Sequence, residues 1–172
     1  MAFRLIEHFA ARLQGAGVLT GSIERAPWID DFERKLERRL PPSFRHLVTR
    51  YTFRPFDWGP VLLFGNSEMD DALNLHIAAV QDQAMWQATR QAGMIQFGRP
   101  RTGSYDPICF GHGTSRRESP VIQLDHESIL VKGWPKIIKD IAPSFLALVE
   151  LLMTDGSGPV AVDSARQAFS DF

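Results

Sequence analysis

Two residue types that often bind a metal ion or act in catalysis are present in small numbers, as one cysteine and five histidines. The cysteine is Cys109, and the histidines are His8, His46, His76, His112 and His126. None of the histidines stands in an H-x-x-x-H or H-E-x-x-H arrangement, the spacing that puts two imidazoles on one helix face for zinc. His46 and His76 fall in predicted helices, where an isolated histidine is usually a surface residue or a hydrogen-bonded core residue.

Asp106, Cys109 and His112 are close enough in sequence to be considered as a metal site. Alternation along a predicted strand from Tyr105 to Phe110 instead favours Cys109 as a small buried hydrophobic side chain. A single thiol can form neither an internal disulfide nor a cysteine-based zinc site. We therefore predict no metal site and no cofactor.

Asp125, His126 and Glu127 are adjacent and have side chains suited to acid–base catalysis. Neighbouring side chains on an extended chain point to opposite faces, so these three are predicted to end a strand and begin a turn. Cys109 and His126 could form a nucleophile pair by residue type, but the motifs that usually surround such a cysteine are missing. No catalytic residue is predicted.

Phosphate binding has no support in the sequence, because the segment Gly111-His112-Gly113 is short and no helix is predicted after it. A hydrolase or metal-dependent enzyme remains an alternative hypothesis. Its candidate residues are Asp106, Cys109, His112 and His126.

Arginine and tryptophan are enriched at the energetic centres of protein–protein contacts, and several of them predict a partner-binding surface here. The arginines lie on two loops that flank the predicted Tyr105 to Phe110 strand, where they could steer an acidic partner or form a solvated rim. The tryptophans fit a surface or a core, and the core is slightly favoured. The predicted partner-binding residues are Trp58, Arg99, Arg101, Arg116, Arg117 and Trp134.

The composition is that of a globular protein, with 172 residues of which 44% are hydrophobic and 23% charged. We predict one domain over residues 1–172. The net charge of −1 gives no support to nucleic-acid or membrane binding. No apolar run approaches the ~20 residues of a membrane helix, and Glu7 interrupts the region where a signal peptide would be apolar. We expect a cytoplasmic protein that is a monomer or a weak homo-oligomer.

The first half of the chain has the periodicity of helices, and strands follow. Gly17 to Ser22 is predicted to be a loop, and aromatic and branched residues from Phe53 to Phe64 predict one or two strands that turn near Asp57 to Pro60. Helices are predicted around residues 5–13, 29–40, 42–51 and 71–91, with ends marked by glycine or proline.

The second half of the chain is predicted to contain short strands, a turn through Ile141 and a helix that begins at Pro143-Ser144. The predicted strands are Met94 to Phe97, Tyr105 to Phe110 and Val121 to Leu124; the segments between them, Gly98 to Ser104 and Gly111 to Pro120, are predicted connections. Strands that are segregated from helices favour an α+β fold over a doubly wound parallel sheet.

Three segments of the chain resemble the SUKH superfamily, which includes the Smi/Knr-type regulators of yeast cell-wall synthesis. The first, Ile29 to Phe44, has a helix with a glutamate and then Leu40-Pro41-Pro42 before an aromatic residue. The others are Tyr105 to Phe110, similar to a mid-chain strand, and Pro120 to Glu127 with Ala142 to Phe145, similar to the last strand and closing helix. The resemblance covers about residues 25–153, leaving an N-terminal helix and loop (1–24) and a C-terminal tail (154–172) outside it.

The resemblance implies a central, mostly antiparallel or mixed sheet with helices packed against it. It also implies a role, because bacterial members of the family are mostly immunity proteins that neutralise toxins of contact-dependent or polymorphic toxin systems. The implied partner is a cognate toxin protein, bound without catalysis. A regulatory or scaffold protein, as in the fungal members, is the second hypothesis.

Overall fold

The computed structural model describes residues 2–23, 26–67, 74–75, 83–113 and 117–162. Within them the helices are α1 (Ala2–Gly15), α2 (Pro27–Leu36), α3 (Pro42–Arg50), α4 (Gln83–Gln91), α5 (His126–Lys132) and α6 (Phe145–Thr154). The strands are β1 (Leu19–Ser22), β2 (Tyr51–Phe53), β3 (Phe56–Trp58), β4 (Val61–Leu63), β5 (Ile95–Pro100), β6 (Ile108–Phe110), β7 (Val121–Leu124), β8 (Ile137–Ala142) and β9 (Val160–Ala161).

Seven of these strands form one antiparallel sheet in the order β8-β7-β6-β5-β4-β3-β9. A separate antiparallel pair joins β1 to β2. Helices pack around the large sheet, so the predicted α+β class and the mostly antiparallel sheet are confirmed. The strand β8 lies at one edge of the sheet, and the two-residue strand β9 lies at the other.

Aromatic side chains hold α1, α3 and α6 against one face of the sheet. Phe9 of α1 stacks on Trp58 of β3 with ring centroids 5.1 Å apart. Phe110 of β6 lies 5.0 Å from the ring of Phe44 in α3 and 6.1 Å from that of Phe145 in α6. Such tilted and stacked pairs add about 0.5–1.5 kcal/mol each beyond the burial of their area. This face therefore contains the main core.

The helices α4 and α5 cover the opposite face of the sheet over the strands β6 and β7. Met85 and Ala88 of α4 and Ile129 of α5 form a second buried cluster with Cys109, Ile122 and Leu124 of the sheet. Cys109 and Phe110 are consecutive strand residues, so their side chains point to opposite faces. The sheet is thus enclosed on both faces here, and α5 is anchored through its inward residue Ile129.

Two charged side chains join the α2–α3 region to the connection between β6 and β7. Arg38 donates hydrogen bonds to the carbonyl oxygens of Gly93 and Gly111, the second at 2.7 Å, and to Ser119 Oγ at 2.8 Å. Glu118 accepts hydrogen bonds from Ser43 N at 2.9 Å and Ser43 Oγ at 2.7 Å, at the start of α3. We call these contacts the Arg38–Glu118 junction.

Glu33, the glutamate of the first resembling segment, has a structural role. Its Oε1 accepts hydrogen bonds from Leu40 N and from Arg45 Nε, both at 3.0 Å. The helix α2 ends earlier than predicted, at Leu36, because Glu37 adopts a left-handed conformation with φ of 53°. Glu33 therefore fixes the non-helical link between α2 and α3.

Several predicted elements are confirmed at close to their predicted positions. They are α1, α3, α6, the β3–β4 pair with its turn at Gly59-Pro60, and β7. Of the helix predicted from about Asp71 to Gln91, the structure describes Gln83–Gln91 as α4, and most of the remainder lies outside the described residues.

Other predictions were wrong in identifiable ways. The predicted loop from Gly17 to Ser22 contains β1, and β5 continues to Pro100 into the predicted Gly98 to Ser104 loop. The turn predicted at Asp125 to Glu127 is the start of α5, and the turn predicted through Ile141 contains β8. The strand predicted from Tyr105 begins at Ile108, because residues 104–107 make no regular ladder.

Candidate functional site

Exposed apolar side chains are concentrated between the end of α5 and the start of the edge strand β8. Nine large hydrophobic residues of the described chain are exposed, and five of them fall between residues 130 and 138. We call these five the Trp134 surface; its members are Leu130, Val131, Trp134, Ile137 and Ile138. Val131 is 81% exposed and Trp134 62%. Exposed apolar residues grouped in this way usually mark an interaction site.

The helix α5 directs two of these side chains outward. It begins at Asp125, whose side chain caps the helix by accepting a hydrogen bond from Glu127 N at 3.1 Å. Ser128 and Ile129 are its buried residues, so Leu130 and Val131, the next positions around the helix, face away from the sheet. Gly133, with φ of 67°, ends the helix and turns the chain toward Trp134.

The edge strand β8 carries the rest of the Trp134 surface. Ile137 pairs with Leu124 and Lys139 pairs with Gln123, with an irregularity between the two pairs. Residues directly opposite in a ladder share a face, and Gln123 and Leu124 are consecutive, so Ile137 and Lys139 point to opposite faces. The exposed side chains of β8 therefore lie on both faces of the sheet edge, with Ile137 on one face and Lys139 on the other.

The backbone of this edge is protected in the ways that natural sheets use. A second irregularity separates the pairs made by Val121 and Ile122 with β8, and lysines occupy positions 136 and 139. Bulges and edge lysines discourage the addition of a further strand. The backbone of β8 is therefore poorly suited to pair with a further strand.

Positive charge accompanies the apolar residues of the Trp134 surface. Lys132, Lys136 and Lys139 are exposed, and residues 130–139 contain no acidic residue although the chain as a whole has a net charge of −1. Among the described residues, none of these three lysines takes part in an ion pair. Asp140, the next residue of β8, is also exposed, so residues 130–140 carry three lysines and one carboxylate and have a net positive charge.

The start of α5 is fixed by a partly buried interaction with the segment before β6. His126 donates from its backbone N to Asp106 Oδ1 at 3.1 Å, and its ring Nδ1 lies 2.6 Å from the same oxygen. Gln123 Nε2 donates to Asp106 Oδ2 at 3.1 Å. Burial alone would raise the pKa of Asp106, but these hydrogen bonds outweigh it and hold the pKa below its usual value.

Asp106, Asp125 and His126 place three possible metal-ligand atoms within 4.8 Å of one another. Asp106 bonds to His126 Nδ1, and Asp125 Oδ1 accepts the capping hydrogen bond from Glu127 N, so these atoms hold the start of α5. Adjacent Tyr105 lies with its ring 6.2 Å from that of His126, and the Arg99 guanidinium lies 5.9 Å from the Tyr105 ring. The cluster therefore acts in positioning α5 and the neighbouring connection.

Of the four residues of the enzyme hypothesis, the structure brings Asp106 and His126 together and leaves Cys109 and His112 outside that pair. Cys109 is completely buried in the cluster under α4 and α5, and burial raises the pKa of its thiol far above the usual value. A thiol in this state is a poor nucleophile and a poor metal ligand. His112 lies against Gly93 at the other end of β6 from the Asp106–His126 pair.

The structure distributes the predicted partner-binding residues over several places. Trp58 is fully buried against Phe9, so its prediction as a contact residue is corrected. Arg101 Nε lies 3.7 Å from Asp57 Oδ2. Arg99 is in the last part of β5, and Arg101 is on the β5–β6 connection, at one end of β6. Arg117 is on the β6–β7 connection, at the other end of β6. Arg116 lies outside the described residues.

Of the predicted contact residues, Trp134 is the one that is exposed together with other apolar side chains. The other four members of the Trp134 surface were not predicted. A signal for α5 was present in the capping residue Asp125 and the stop residue Gly133, and it would have placed Leu130 and Val131 on the outer face.

None of the helices in the described ranges is long and apolar enough to cross a bilayer. Comparisons with protein-family models, with curated proteins and with solved structures find no match to this chain. The Trp134 surface is therefore identified from the geometry of this chain alone.

Proposed function

We propose that this chain is an immunity protein that binds a cognate toxin in the cytoplasm and that the Trp134 surface is its contact site. The observation that carries the proposal is the grouping of five exposed apolar side chains at one edge of the sheet. A standard protein–protein contact buries about 800 Å² on each partner, and tryptophan is the residue type most enriched at its energetic centre.

The resemblance to the SUKH superfamily supplies the identity of the partner class. A binding role also fits the chemistry of the chain, because the reactive residue types are used for packing and positioning. Cys109 is buried in an apolar cluster, and Asp106 and His126 bond to each other. Neutralisation by occlusion requires a complementary surface and no reaction of its own.

The test uses the protein encoded by the neighbouring gene as the candidate toxin and compares two leucine variants. Leu130 on the Trp134 surface and Leu151 on α6 are 59% and 55% exposed, so Leu130→Ala and Leu151→Ala remove similar side chains from different places. We expect Leu130→Ala and Trp134→Ala to weaken binding, with Trp134→Ala costing about 2 kcal/mol or more. Leu151→Ala should leave binding unchanged.

Titration calorimetry measures the affinity, and survival of cells that express the toxin measures protection. The absence of both a complex and protection would contradict the proposal. Binding to a host protein in place of a toxin would favour the regulatory or scaffold role.

A further inference from the structure

The Trp134 surface has a shape that restricts what can cover it. Val131 and Trp134 are its most exposed members, and the side chains of Ile137 and Lys139 point to opposite faces of the edge strand. An object that contacts both Ile137 and the flanking Lys139 must therefore reach around the sheet edge. A flat surface can contact only one side of such a ridge.

The charge of this surface restricts the partner further. Lys132, Lys136 and Lys139 are interleaved with the apolar residues, and no acidic residue occurs within residues 130–139. Complementary potentials across an interface raise the association rate and select the partner. The five apolar side chains match poorly with a phosphate backbone, because interfaces with nucleic acid are more polar and more strongly charged than interfaces between proteins.

From shape and charge together, we infer that the Trp134 surface is a ridge that inserts into a cleft of the partner protein, a cleft with an apolar floor and acidic walls. This inference rests on the proposed function and specifies the chemistry of the partner's site. The apolar residues fill the floor of the cleft, and the lysines on the two flanks meet carboxylates on its walls. The protected backbone of β8 takes no added strand.

The charge test uses the purified protein encoded by the neighbouring gene, the candidate toxin, as its probe. The variant Lys136→Glu/Lys139→Glu reverses two charges on the ridge, and Arg4→Glu/Arg39→Glu reverses two exposed charges on α1 and on the link between α2 and α3. We expect the lysine variant to slow association by about tenfold or more at low salt. The arginine variant should associate at the parent rate.

The shape test uses single cysteines placed on the two flanks. In a Cys109→Ala background, Ile137→Cys and Lys139→Cys should both be protected from a maleimide in the complex, whereas Leu151→Cys should react as fast as in the free protein. Protection of only one flank, or equal effects of the two charge variants, would overturn the cleft while leaving binding intact. A complete absence of protein binding would instead remove the proposed function, and the cleft with it.

Vesicles of phosphatidylcholine with phosphatidylserine and a short DNA duplex serve as competing probes. Neither should bind the chain. Binding of either probe that is lost in the Lys136→Glu/Lys139→Glu variant would assign the ridge to lipid or nucleic acid and overturn the inference.

Discussion

His126 and Asp106 tie the first residue of α5 to the segment that enters β6. Both the backbone N and the ring Nδ1 of His126 contact the same oxygen, Asp106 Oδ1, at 3.1 and 2.6 Å. Because α5 carries Leu130 and Val131, this pair positions part of the Trp134 surface without belonging to it.

Asp106→Asn should destabilise the fold by about 1–2 kcal/mol at neutral pH, because it weakens hydrogen bonds to a charged acceptor. The pKa of Asp106 is lowered from 3.8 in the folded protein, so its contribution is present above that value and is lost as the pH falls through the folded pKa. Urea unfolding at several pH values measures this. A difference between the two proteins that persists unchanged at strongly acidic pH would contradict it.

The cap that Glu118 provides to α3 should also be measurable. Glu118→Gln keeps the shape of the side chain and removes the charge beside the helix N-terminus, and we expect a loss of about 1 kcal/mol. Ser43→Ala removes the other partner. Because the two residues act through one contact, the double variant should lose less than the sum of the single losses in a double-mutant cycle.

Arg38 should contribute more to stability than its exposed neighbour Arg39. Arg38→Met leaves the carbonyl groups of Gly93 and Gly111 without their charged donor, and we expect a loss of about 3 kcal/mol. Arg39→Met, the matched control, should change the free energy of unfolding by less than about 0.5 kcal/mol. Equal losses in the two variants would show that the Arg38 hydrogen bonds add nothing.

Cys109 should be unreactive in the folded protein, because burial raises the pKa of its thiol. A disulfide reagent at mildly alkaline pH is expected to label it only as the protein unfolds, and at once in guanidinium chloride. Cys109→Ser should protect cells from the toxin as well as the parent does. Rapid labelling of Cys109 in the native protein would support the enzyme hypothesis. A folded Cys109→Ser variant that no longer protects cells would support it too.

Asp57 should give the stability of the fold a pH dependence opposite in sign to that of Asp106. Burial is the main influence on this carboxyl group and raises its pKa above 3.8, against the attraction of Arg101 and Arg99. Folding therefore disfavours the charged form, and stability falls as the pH rises from 3.8 through the folded pKa. Asp57→Asn should lack this decline and should therefore be more stable than the parent protein at neutral pH. Asp140→Asn, at an exposed position of β8, should show neither effect.

The elements that the sequence predicted well are those whose pattern is local. The helices α1 and α6 have regular apolar spacing and clear start or stop residues, and β7 is a short branched run between polar segments. In contrast, β1 is defined by its pairing with β2 about thirty residues later, and its sequence Leu-Thr-Gly-Ser has little strand propensity.

The Trp134 surface was harder to predict, because exposure depends on the tertiary structure. Ile137 and Ile138 are adjacent apolar residues of the kind found in a core, and they become surface residues because β8 is an edge strand with an irregular register. The four arginines were grouped by their distance in sequence from one strand, but Arg99 and Arg117 lie toward opposite ends of it. Composition could suggest a binding protein without locating its contact site.

The Arg38–Glu118 junction has a consequence for the order of events during synthesis on the ribosome. Glu118 follows Ser43 by 75 positions, and Ser119 follows Arg38 by 81. The helix α3 therefore leaves the exit tunnel before Glu118, which caps it, has been synthesised. Most of the sheet is translated before this cap can form. Closure of this region is consequently a late step, coupled to the arrival of β6 and β7.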